Sequence, residues 1–219
     1  MSAPATADYD ARWGYRELDA RRYEQRRYGS LVRRLNLRLL VRALVRALRD
    51  VDGARLVLDV PCGTGIIGGH LASSGFRVVG ADISPAMLGV AAERAHAVGL
   101  LRADLEAPPW RPRSFDAVVC ARFLMHLPAQ DRPRVLATLA ALARGPLVAT
   151  VCHPYTVKNL GRWIRRRLGG RPKRSPRLTR RALAAEVRAA GLELERVIRV
   201  LPFLSEVWVV VLRDRARTT

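Results

Sequence analysis

The stretch Leu56-Val57-Leu58-Asp59-Val60-Pro61-Cys62-Gly63-Thr64-Gly65 breaks a short apolar run with a glycine-rich turn, and a helical stretch follows it. Strand, tight turn and helix N-terminus in that order let backbone approach a nucleotide-like ligand closely. Gly63 and Gly65 lack a Cβ, so the turn can take positive φ and a ligand can lie against it. A second apolar run, Phe76 to Ala81, ends at Asp82, 23 positions after Asp59. A carboxylate at the tip of the second strand can accept hydrogen bonds from both hydroxyls of a ribose.

These residues describe a nucleoside site in a doubly wound sheet. A nicotinamide cofactor needs G-x-G-x-x-G to seat a pyrophosphate on the helix N-terminus. Here the run is Asp59-x-x-x-Gly63-x-Gly65-Ile66-Ile67-Gly68, which satisfies that spacing too, so the glycines alone leave both ligand classes open and Asp59 separates them. A carboxylate inside the loop repels pyrophosphate and suits a ligand with a cationic tail. S-adenosylmethionine carries both a sulfonium and an amino group.

Residues 56–65, 78–88 and 101–127 resemble the class I S-adenosylmethionine-dependent methyltransferases, and the resemblance spans roughly Val51 to Val151. One departure is Pro61, where members usually carry glycine; Gly63, Thr64 and Gly65 remain. The resemblance implies a Rossmann-like α/β fold, with a seven-stranded, mostly parallel sheet, an antiparallel last strand and helices on both faces. It also implies S-adenosyl-L-methionine as donor and S-adenosyl-L-homocysteine as product. On matching positions, Asp59 and the Pro61-Cys62-Gly63-Thr64-Gly65 turn would hold the methionine portion. Asp82 would take the ribose hydroxyls, with Ile83 against the adenine and Met87 beside ribose or adenine. Asp104 and Leu105 would contact the adenine, and Ala121 and Arg122 would flank the methionine tail.

A chain of 219 residues, 49% hydrophobic, suits one α/β domain with a full core. The alternation of elements is legible. An amphipathic helix covers 31–49, then strands at 56–60, 76–81, 99–103, 115–120 and 147–152 alternate with helices near 64–74, 85–98 and 129–144. Ser84-Pro85 reads as a helix cap followed by a first helical position. A helix from Thr179 to Ala190 precedes two final strands, 193–201 and 206–212. We expect residues 1–50 to form a helical lid and amphipathic helix on a methyltransferase domain at 51–219, with a basic substrate-side insertion near 154–180. No 18-residue apolar run occurs, the N-terminus lacks an apolar signal core, and Cys62, Cys120 and Cys152 show no metal spacing. A cytoplasmic or membrane-peripheral protein without a metal is expected.

The chain carries 39 Lys and Arg against 19 Asp and Glu, a net charge of +20, and only Lys158 and Lys173 are lysines. Genome composition explains arginine over lysine but not the excess of base over acid. His153 to Arg181 holds 11 basic residues and no acid. Such a field favours nucleic acid, anionic lipid or phosphorylated partners. The arginine-striped helix 31–49 and the basic stretch after His153 also resemble interfacial segments, although leucines that cover a sheet explain the helix equally well.

Methyl transfer is an in-line displacement, so the protein mainly aligns two atoms and excludes water. A base matters only if the nucleophile must lose a proton early. His126, beyond the fourth strand, and His153 with Tyr155, beyond the fifth, are the candidates; His70 and His96 fall on helices and read as surface. Tyr15, Tyr23, Tyr28 and His126 are expected to line the acceptor, with residues 9–30 closing over it. The acceptor is expected to be a small molecule or a lipid-linked one. A nucleic-acid acceptor and a non-catalytic cofactor-binding homologue are the alternatives.

Overall fold

The computed structural model describes residues 29–51, 53, 55–94, 98–105, 107–156, 178–201 and 204–217, with Ala20 and Arg22. Tyr15, Tyr23, Tyr28, His96 and most of the basic stretch therefore lie outside the described residues.

Helix α1 (Leu31–Arg49) is capped by Ser30, whose hydroxyl accepts from the Arg33 amide, and it buries Leu37, Leu40, Leu44 and Leu48. Leucines three or four apart occupy one stripe, which is why this stretch folds as a sheet-covering helix. Strand β1 (Leu56–Asp59) follows, then α2 (Ile66–Ser73), β2 (Arg77–Asp82), α3 (Pro85–Ala92), β3 (Gly99–Arg102), β4 (Ala117–Cys120) and a 3₁₀ turn at Leu124–His126. Helix α4 (Arg132–Ala141), β5 (Leu147–Cys152), α5 (Arg180–Ala189), β6 (Leu192–Arg199) and β7 (Val207–Asp214) complete the order.

The seven strands lie in the order β3-β2-β1-β4-β5-β7-β6. All pairings from β3 to β5 are parallel, and β7 runs antiparallel to both β5 and β6. This is the sheet expected from the sequence. Central strands read as continuous apolar runs because both faces are covered. One core lies between the sheet and α4 and α5, around Leu58, Val118, Leu136, Leu147 and Leu183. The other lies under α1 and α2, around Leu44, Leu48, Val57, Leu71 and Val148.

Element boundaries shift by a few residues from the sequence reading. Helix α3 stops at Ala92 rather than near residue 98, with Glu93 as its C-cap. Strand β4 begins at Ala117, because Phe115 forms an isolated bridge with Ala143 and turns its ring edge-on to Trp110 at 5.4 Å. Thr179 caps α5 as expected, its hydroxyl accepting from the Ala182 amide.

Candidate active site

Parallel strands β1, β2, β4 and β5 end together at one edge, and in such sheets ligands bind there. The turn after β1 is tied into both neighbours. The Val60 amide donates to Val119 carbonyl at 2.9 Å, and the Cys62 amide to Ala81 carbonyl at 2.8 Å. The Val60–Pro61 bond is cis, and Gly63 and Gly65 have φ of 55° and 73°. A Cβ at Gly63 would meet nothing within 4 Å, so the turn has an open side. Arg94 donates from Nε to the Thr64 carbonyl at 2.8 Å, which fixes the far side of the turn to the end of α3.

Asp82 is buried at the tip of β2. Its Oδ2 accepts from the Gly63 amide at 2.8 Å and its Oδ1 from the Ser84 amide at 2.9 Å. A carboxylate has about four lone-pair positions, so each oxygen keeps capacity for a ribose hydroxyl. Desolvation raises its pKa, and the amides of Ser84 and Gly63 oppose that rise.

Asp59 is wholly buried, and neither carboxylate oxygen has a hydrogen-bond partner of good geometry. The first turn of α2 lies against it: a Cβ at Gly68 would stand 3.1 Å from Oδ2. Desolvation pushes the Asp59 pKa up to about 7; the nearby Gly68 amide lowers it and Asp82 adds to the rise. The carboxylate borders a tight crevice under the turn, with a cavity volume of about 10 Å³ and Cys62, Gly65, Gly68 and Gly69 among its walls. Burial and the charges of Asp59 and Asp82 also push the Cys62 thiol far up. An uncompensated buried carboxylate beside an open glycine turn fits a cationic ligand tail. The donor's chemistry is therefore compatible with the residues present.

The other expected donor contacts are arranged as follows. Ile83, Asp104 and Leu105 are half-buried near the ends of β2 and β3, with Leu105 also packed on the core. Met87 is 2% exposed and almost wholly enclosed by protein. Ala121 is buried, and Arg122 takes φ of 60° while its amide donates to Thr150 Oγ1 at 2.6 Å. A non-glycine residue in that region is strained, a feature concentrated at functional sites.

On the acceptor side the two histidines differ. His126 is exposed at the end of the 3₁₀ turn, which Met125 sets beside β5: Cys152 Sγ lies 3.7 Å from Met125 Sδ. His153 is 4% exposed, and its ring stacks on Trp208 at 4.3 Å and 16°. Its Nδ1 accepts from the Tyr155 amide at 3.1 Å, so this nitrogen is already engaged within the protein. Tyr155 is half-exposed and lies nearly parallel to Trp208, 5.7 Å away. Trp208 belongs to this shelf and was not foreseen. Only the pairing of Trp208 with Val151 across β5 and β7 brings it there. His70 is exposed on α2, as read from the sequence. Among the described residues no cluster of His, Cys, Asp and Glu could hold a metal.

A methyltransferase-domain profile matches residues 57–145. The magnesium-protoporphyrin O-methyltransferase of Rhodobacter capsulatus is 34% identical over 156 residues, covering 69% of this chain and 68% of that protein. The 18S rRNA (guanine-N(7))-methyltransferase bud23 of Schizosaccharomyces pombe is 34% identical over 120 residues, 54% of this chain and 43% of that one. The crystal structure of magnesium protoporphyrin IX methyltransferase from Synechocystis PCC 6803 with bound S-adenosylhomocysteine superposes with a TM-score of 0.71. It is 22% identical and covers 93% of this chain and 98% of that one. The chain belongs to the class I S-adenosylmethionine-dependent methyltransferases, and S-adenosylmethionine is its methyl donor.

Proposed function

We propose that the chain methylates a small-molecule or lipid-linked acceptor held between the β4 and β5 exits. The observation that carries this reading is the Tyr155 ring. It is half-exposed, and a buried His153–Trp208 stack holds it parallel to itself at the carboxyl edge of the sheet. A rigid aromatic face suits a planar conjugated acceptor, whose ring it can stack. The relative covered over two thirds of both chains is named for a porphyrin acceptor, whereas the rRNA methyltransferase matches over less than half its own length.

When bound, the donor supplies an electrophilic methyl on a sulfonium. Asp82 would hold the ribose, Ile83, Asp104 and Leu105 the adenine, and the Pro61–Gly65 turn with Ala121 and Arg122 the methionine portion. Asp59 would offset the cationic tail from beneath the turn. His126, exposed beyond β4, would accept a proton from the acceptor where one must leave. His153, buried with Nδ1 engaged, positions Tyr155 rather than acting as a base. The expected lid contacts of Tyr15, Tyr23 and Tyr28 remain part of this proposal, as does the division at residue 50.

Radiolabelled transfer from S-adenosylmethionine onto magnesium protoporphyrin, onto a lipid-linked quinol and onto rRNA tests the acceptor. Label in either small acceptor, reduced by Tyr155→Ala when the acceptor is below saturation, is expected. Label in rRNA alone would overturn the reading. Calorimetry with S-adenosylhomocysteine separates out a non-catalytic homologue, which would bind yet transfer nothing.

A further inference from the structure

Helix α1 carries apolar residues on two faces. Leu37, Leu40, Leu44 and Leu48 form the buried stripe, whereas Leu31, Val32 and Leu35 fall on the opposite face and are 79%, 69% and 54% exposed. The stretch is ordered helix, capped at Ser30. Residues 31–36 also include Arg33 and Arg34, both exposed, and Arg38 lies one turn further on. No acid occurs between Leu31 and Arg49.

Direction in the fold says where this tip points. Helix α1 ends at Asp50, which lines a cleft with Asp116, Arg144 and Gly145 where β4 and β5 begin. The chain reverses within a few residues into β1, so α1 runs back along the strands. At 1.5 Å per residue its 19 residues span about 28 Å. The six residues of β5 span about 20 Å. The N-terminal turns of α1 therefore overhang the carboxyl edge, the edge of the donor turn. Tyr155 beyond β5 and Leu204 between β6 and β7 reach that edge too. Among the described residues, five of the seven exposed large apolar side chains lie there.

We propose that this edge docks on an anionic membrane surface, with Leu31, Val32 and Leu35 entering the headgroup boundary and Arg34 and Arg38 meeting lipid phosphates. Apolar residues among arginines on a helix tip are what an interfacial helix needs, and the net charge of +20 supplies long-range attraction. Tracking nucleic-acid phosphates calls for the arginines but gives the three apolar residues no role. Docking through the outward face of this tip brings the mouth of the site close to the bilayer, whichever acceptor the enzyme uses.

Co-sedimentation of the full chain with vesicles of phosphatidylglycerol and phosphatidylcholine, against phosphatidylcholine alone, tests this. Binding is expected only to the anionic vesicles, weakening as salt rises. The triple variant Leu31→Gln, Val32→Gln, Leu35→Gln is expected to bind at least about tenfold more weakly while melting as the parent does. Leu31→Gln alone repeats the test with a smaller loss, should the triple variant not fold. Absence of binding to anionic vesicles at low salt overturns the proposal. So does vesicle binding unchanged by the apolar substitutions, and so does a single-stranded RNA that binds more tightly than the vesicles. Donor affinity and methyl transfer in detergent are separate readouts, so loss of docking is distinguishable from a wrong acceptor.

Discussion

The Gly63 amide donates to Asp82 Oδ2 at 2.8 Å, joining the turn after β1 to the tip of β2 before any ligand arrives. One carboxylate thus shapes the turn and, in the proposed donor site, would also accept from the ribose hydroxyls. Asp82→Ala removes both. Hydrogen bonds to a charged group contribute about 1.5–3 kcal/mol, so S-adenosylhomocysteine affinity should fall roughly 10- to 150-fold by calorimetry.

Asp59 gives the donor site a pH dependence. With its pKa pushed up to about 7, it is largely protonated at pH 6 and largely ionised at pH 8. A cationic tail favours the ionised form, so affinity should rise with pH, by up to about tenfold over that interval. Titration at the two pH values measures it, and Asp59→Asn should abolish the rise.

The same carboxyl opposes folding. The folded state holds its proton more tightly than the unfolded chain, so stability falls as pH climbs from 3.8 to about 7, then levels off. The loss amounts to about 4 kcal/mol. In Asp59→Asn, denaturant melts of the ligand-free protein should show that slope flattened. The net gain above pH 7 should be about 1–2 kcal/mol, because the amide is also left unpaired.

Gly145 stops the chain before β5 against the backbone of Asp116. A Cβ there would stand 2.6 Å from the Asp116 carbonyl oxygen, and backbone cannot move aside as a side-chain tip can. Gly145→Ala should destabilise by about 1–3 kcal/mol, read as a lowered melting temperature with donor affinity per folded molecule unchanged.

Tyr155→Ala should separate acceptor from donor. The ring is half-exposed, so stability should change little. Loss of one stacking contact of about 0.5–1.5 kcal/mol should raise acceptor KM roughly 2- to 12-fold, with the S-adenosylhomocysteine Kd unaltered. His153→Phe keeps a ring against Trp208 but removes the acceptor for the Tyr155 amide. It should raise KM by a smaller factor and leave kcat unchanged, whereas loss of a base would lower kcat.

The donor half was legible in the sequence because its signals are local. Strand, turn, helix, second strand and the next helix cap fall between Leu56 and Ser84, where glycines, the Ser84 cap and the apolar runs dictate the backbone directly. Parallel order followed from the same alternation. Tertiary structure alone decided the rest. Placing β7 between β5 and β6 set Trp208 against the His153 ring and buried that histidine. Which face of α1 is covered depends on the sheet it packs against: Leu37, Leu40, Leu44 and Leu48 are buried, whereas Leu31 and Leu35, about half a turn away, are exposed. Burial of Asp59 without a partner arises from the packing of α2 against β1. Backbone conformation answers to neighbours in sequence, whereas burial, stacking and exposure answer to neighbours in space.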